Sequence, residues 1–156
     1  MKFSTVTILA ALGLGSSTAS AQSVQQRFQV YWSQDSVSGT GAWMYYFFGG
    51  QPSCNDVFNT RGVFEQDNVN DREGVICQGN GCWNGRPNEI TRFEFNAPNF
   101  GRYNILQIDP NGQFALMTTD GRWVGVCQAN REHSFTCGAP FAMSGVRFFI
   151  CERIYS

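Results

Sequence analysis

The sequence predicts an all-β protein: a single-domain antiparallel β-sandwich or small β-barrel stapled by disulfides. Three observations carry that expectation. Short runs rich in aromatic and β-branched residues alternate apolar with polar, the period of strands that bury one face. Glycine, asparagine and proline recur between those runs where tight turns need them. Six cysteines (Cys54, Cys77, Cys82, Cys127, Cys137 and Cys151) all follow an N-terminal export signature, so they read as three disulfides with 15 pairings open.

The chain opens with Lys2, an apolar stretch from Val6 to Leu14, and the small residues Ala19-Ser20-Ala21. That is the pattern of a secretory signal cleaved before Gln22, and it is too short to span a membrane. Residues 1–21 are therefore set aside, and residues 22–156 are expected to form one disulfide-bonded β domain. "RFQVYW" is the first predicted strand, with Phe28, Val30 and Trp32 on one face and Arg27, Gln29 and Tyr31 on the other. "WMYYFF", Trp43–Phe48, is the second. Its alternation puts Trp43, Tyr45 and Phe47 opposite Met44, Tyr46 and Phe48. Large exposed apolar patches are rare on monomers, so a strand covered on both sides is favoured. Ser53 and Asp56 have the spacing of a capping box and predict one or two helical turns over 53–60.

"EITRFEF" places Thr91, Phe93 and Phe95 against Arg92 and Glu94. Tyr103 to Cys127 reads as a three-stranded meander turning at Asp109-Pro110-Asn111-Gly112 and at Asp120-Gly121. "VRFFICERI" is the closing strand, with Val146, Phe148, Ile150 and Ile154 set against Arg147, Cys151 and Arg153. The chain shows no domain boundary, low-complexity segment or internal repeat.

Charge excludes some partners. Ten arginines face twelve acidic residues after the signal, and the arginines are dispersed. Nucleic-acid or anionic-membrane binding through a basic patch is not expected. The chain has no sequon and no further apolar run of spanning length, so a released, unanchored monomer is expected. Lys2 is the only lysine, and it lies in the signal. With Arg and Lys equally available, ten Arg in ten would arise roughly once in a thousand chains. Codon or lineage bias accounts for this most simply. Avoidance of ubiquitination sites in a recipient cytosol is the sharper alternative.

The loop "CQGNGCWNGRPNE" is the most distinctive candidate site. Cys77 and Cys82 either staple to each other or pin two points of the loop, while Trp83, Asn84 and Arg86 project from a Gly/Pro-rich tip. Rigid loops showing Trp and Arg are typical of interface hot spots. Trp43 and Tyr45 join the candidates if their face is open, since such rings stack on sugars or seat a partner's apolar side chains.

Signals for catalysis and metals are weaker. "FEQDNVNDREG" gathers hard oxygen ligands, but Val69 stands where a calcium loop needs one, so a solvated loop is expected. No cysteine–histidine set completes a zinc site, and no metal or cofactor is expected. His133 is the only histidine, which removes two-histidine phosphodiester chemistry. Glu94 and Glu152 are the carboxylates considered for glycoside hydrolysis.

A cleaved signal, one compact domain, six cysteines, many aromatics and no catalytic signature together resemble the small cysteine-containing secreted proteins of filamentous fungi. The resemblance spans the whole chain and is generic. It implies an effector or elicitor that binds a host protein or a cell-wall glycan and modulates host defence, outside cells or after entering them. Two narrower patterns fail. "FNAPNFG" places Gly101 one residue early for a βγ-crystallin motif, and the second histidine of guanyl-preferring ribonucleases is missing. A small secreted hydrolase, ribonuclease-like or carbohydrate-active, and an inhibitor of secreted hydrolases remain the alternatives.

Overall fold

The structure, a computed structural model, describes residues 26–34, 43–138 and 142–154. The signal stretch lies outside the described residues. The described chain is nearly all-β, as predicted. Its strands are β1 (Gln26–Gln34), β2 (Trp43–Phe48), β3 (Val63–Phe64), β4 (Gly74–Gly79), β5 (Ile90–Ala97), β6 (Gly101–Gln107), β7 (Gln113–Met117), β8 (Trp123–Ala129), β9 (Ser134–Cys137) and β10 (Met143–Arg153). Two short helices, α1 (Cys54–Asn59) and α2 (Gly81–Asn84), complete it.

One sheet runs in the order β3-β2-β1-β10-β8-β7-β6-β5-β4, with β9 added to β10. Each of those pairs is antiparallel. The two ends of the sheet then meet. Glu65 and Val75 form a parallel bridge, and the Gln66 amide donates to the Val75 carbonyl at 2.8 Å. Of the two predicted architectures, the chain therefore takes the barrel, nearly closed, which leaves little unpaired edge.

The barrel interior is filled largely by aromatic rings, including Phe28, Phe93, Phe95, Phe114, Phe148 and Phe149. "WMYYFF" is covered on both sides. Tyr45 and Phe47 point into the barrel, while Tyr46 and Phe48 point outward beneath α1 and β9, where Val57, Phe135 and Cys137 cover them. The predicted capping box holds α1 at its start. The Ser53 hydroxyl accepts from the Asp56 amide, and the Asp56 carboxylate accepts from the Ser53 amide at 2.8 Å. Cys54–Cys137 then ties this outer layer to β9.

The meander forms as read, in β6, β7 and β8. Gly112 in its first turn adopts a φ of +90°, which suits glycine. The closing strand departs from simple alternation. Val30 pairs with Phe149 but Tyr31 pairs with Arg147, so Phe148 is the extra residue of a β-bulge. The bulge shifts the inward register. Phe149 and Cys151 face the core, and Ile150, expected on the core face, lies on the outer wall beside Gln128 and Glu152. Cys127 and Cys151 sit opposite each other on β8 and β10 and are bonded.

The same strand forks. Its first residues pair with β9 and its last with β8. Arg147 lies at the fork, 4% exposed. Its guanidinium donates to Gln29 Oε1 at 3.0 Å and to the Asn130 carbonyl and side chain, and Tyr31 donates to the same Gln29 oxygen. This buried network joins β1 to the loop after β8.

Candidate functional site

The site is built where β4 hands over to β5. β4 ends at Gly79, and α2 makes a single turn that ends at Gly85 in the left-handed conformation. A short 3-10 turn, Pro87–Glu89, then leads into β5. The Cys77–Cys82 disulfide anchors α2 to β4, with both sulfur-bearing residues in the core. Cys82 faces in, so its neighbour Trp83 is directed out. At 65% exposed it is the most solvent-accessible large apolar side chain among the described residues.

The polar residues of the tip brace the loop. Asn84 Oδ1 accepts from the Arg86 amide at 2.9 Å, and Asn84 Nδ2 donates to Glu89 Oε2 at 2.9 Å. Arg86 pairs with the other Glu89 oxygen at 3.2 Å. The Asn84 hydrogen bond, with help from Arg86, holds the Glu89 carboxyl below the usual range. Gln107 Nε2 donates to the Asn88 carbonyl at 2.8 Å, securing the loop to β6. Asn84 and Arg86 therefore hold the shape of the tip, and the indole of Trp83 is its free face.

Trp32 meets this loop, and Trp43 stacks on Trp32. A β-carbon on Gly85 would lie 2.9 Å from the Trp32 ring, so only glycine allows the approach. Trp32 stacks on Trp43, with centroids 3.9 Å apart and planes 16° apart. Trp43 is half-buried by that stack. Trp32, Trp43 and the Trp83 loop thus share one end of the barrel. Tyr45 is fully enclosed and offers no contact surface. Its ring packs edge-on to Phe93 at 5.1 Å, and its hydroxyl has no hydrogen-bond partner. Burial pushes that hydroxyl's pKa far up, with Glu65 adding to the effect. The Trp32 Nε1 proton is likewise buried and unpartnered.

The catalytic candidates do not converge. Glu94 is 4% exposed on the outer wall, and its oxygens take Arg92 and Arg102, each at 2.6 Å. Glu152 pairs with Arg27. Glu94 lies on β5 and Glu152 on β10, four strand steps apart in the sheet order, roughly 19 Å along it. Paired carboxylates for glycoside hydrolysis lie about 5–9.5 Å apart. His133 sits in the loop after β8, and its carbonyl accepts from the Arg147 amide at 2.9 Å. All six cysteines are bridged, leaving no thiol nucleophile. In the acidic loop, Asp67, Asp71 and Glu73 are exposed, while Val69 is buried and Asn96 donates to the carbonyls of Val69 and Arg72.

The chain matches no protein family, no curated protein and no solved structure. Three disulfides fit an oxidising, extracellular setting. No helix among the described residues is long and apolar enough to cross a membrane.

Proposed function

We propose that this is a secreted, non-enzymatic binding protein of the fungal effector or elicitor type, which engages a host protein or cell-wall glycan through Trp83. The observation that carries the reading is Trp83 itself: a large indole held in solvent on a loop braced by a disulfide, an Asn–Glu–Arg network and the Trp32 stack. Preorganisation of that kind lowers the ordering cost of binding, and Trp is the commonest hot-spot residue. The scatter of Glu94, Glu152 and His133 over different walls weighs against the hydrolase alternative. Absence of lysine after the signal fits a protein that later enters a host cytosol, where a chain without ε-amines offers no lysine for ubiquitin.

Infiltration of the oxidised protein into plant leaf tissue tests the reading. The Trp83→Ala protein is expected to lose the defence response, while His133→Ala and Glu94→Ala proteins that stay folded retain it. A response that survives Trp83→Ala but disappears with His133→Ala would replace the binding reading with an enzymatic one.

A further inference from the structure

A second site lies at the other end of the barrel. β2 runs from Trp43, at the Trp83 end, to Phe48, about 17 Å away along the strand. There the segment Gly49–Pro52, the last turn of α1 with Thr60 and Arg61, and the β5–β6 turn at Pro98–Phe100 line a half-open cavity of about 550 Å³. That volume falls within the roughly 300–1,000 Å³ of small-molecule sites.

The lining has two characters. On one side are rings: Phe47, and the partly exposed Phe100 whose centroid lies 6.0 Å from it. On the other are groups that donate and accept. Asp56 uses only Oδ2 to cap α1. Arg61 meets Glu73 through one nitrogen at 3.3 Å. Thr60 and Asn99 add a hydroxyl and an amide. Asp56 and Arg61 bring one negative and one positive charge to the lining, so it has no strong preference for a charged ligand.

Gly49 and Gly50 supply an independent observation. Neither has a positive φ, and a β-carbon on either would meet no atom within 4 Å. Neither backbone conformation nor packing calls for glycine at these positions. Each glycine nonetheless leaves the unfolded chain more conformational freedom to lose than alanine would. What the pair does provide is an unobstructed lip to the cavity. We propose that this cavity binds one or two pyranose units of a neutral glycan, with Phe100 stacking on a sugar face and the polar wall bonding its hydroxyls. The site is separate from Trp83 and does not rest on the reading given for that loop.

Two-dimensional NMR of the oxidised protein tests this with cellotetraose, xylotetraose, laminaritetraose, mannotetraose and chitotetraose at millimolar concentrations. At least one is expected to shift the amides of Gly49–Gln51, Thr60, Arg61, Asn99 and Phe100. Gly50→Trp, whose β-carbon would meet no atom within 4 Å and whose indole adds bulk at the lip, should weaken that binding by about tenfold or more. Phe100→Leu, which keeps apolar bulk but removes the ring face, should act in the same direction. Ile108→Ala, at an exposed position in the turn between β6 and β7, should leave the affinity unchanged. The proposal is overturned if none of the five sugars shifts these amides. It is equally overturned if Gly50→Trp and Phe100→Leu, both folded, bind as the parent does, or if the shifts map to the Trp83 loop.

Discussion

Replacing both Cys77 and Cys82 with alanine removes the staple beneath Trp83 and leaves the other two disulfides in place. In the loop-closure account, a cross-link acts by restricting the unfolded chain, and longer loops gain more. Sequence separations of 5, 24 and 83 residues assign about 2, 3.5 and 4.5 kcal/mol to Cys77–Cys82, Cys127–Cys151 and Cys54–Cys137. The short staple is thus the weakest of the three for global stability, although it sits under the proposed contact residue. Urea unfolding followed by tryptophan fluorescence should show the double variant folded and about 2 kcal/mol less stable, a fall in Tm of roughly 4–8 °C. The Cys54→Ala/Cys137→Ala protein should lose about twice as much. Target binding should follow the opposite order. A loosened Trp83 loop must be ordered on contact, at about 0.5–1.5 kcal/mol per immobilised side chain. The reasoning is refuted if the Cys77/Cys82 variant loses as much stability as the Cys54/Cys137 variant, or if it binds the target at full affinity.

Two further predictions follow from buried polar groups. Tyr45→Phe removes a hydroxyl that is enclosed and unpartnered, and should leave stability unchanged or raise it by about 1 kcal/mol in urea unfolding. A loss of that size would reveal a hydrogen bond to Tyr45. Desolvation raises the Glu65 pKa above its ordinary 4.5, so the folded state holds this proton to higher pH than the unfolded chain does. Its contribution therefore weakens the fold as pH rises through the window above 4.5 and vanishes below it. Glu65→Gln should be more stable than the parent at pH 7, and the difference should close as the pH falls past 4.5; equal stabilities at both pH values would contradict this.

Much of the barrel was legible because its strands alternate and its turns carry their own chemistry. Phe28, Val30 and Trp32, the Ser53–Asp56 box, and the Asp109–Gly112 turn each specify their geometry locally. What escaped depends on partners distant in sequence. Cys151 was read on the wrong face because the Phe148 bulge is a property of the β1–β10 pairing and leaves no local mark. β3, β4 and β9 are short or contain glycine, and they become strands only against β2, β5 and β10. The choice between barrel and sandwich rested on the Glu65–Val75 bridge, where two edges meet that the sequence does not connect.

The site divides along the same line. A Trp beside a cysteine in a glycine-rich loop is visible in one dimension; the brace is not, because Asn84 and Arg86 read as projecting contact residues until their bonds to Glu89 show what they hold. The Trp32–Trp43 stack and its contact with Gly85 are not, because three separate segments build them. Tyr45 could not be assigned to a face from alternation alone, since both faces of its strand carry large rings and both are covered.

The most direct test of the central claim compares two exposed tryptophans. Trp83 is 65% exposed at one end of the barrel, and Trp123 is 52% exposed at the start of β8. Binding of the parent, Trp83→Ala and Trp123→Ala proteins to immobilised apoplastic protein should be measured by surface plasmon resonance. The account predicts a loss of at least about tenfold for Trp83→Ala and no change for Trp123→Ala. Equal losses would mean that any exposed indole makes this protein adhere, and undiminished binding by Trp83→Ala would contradict the claim outright.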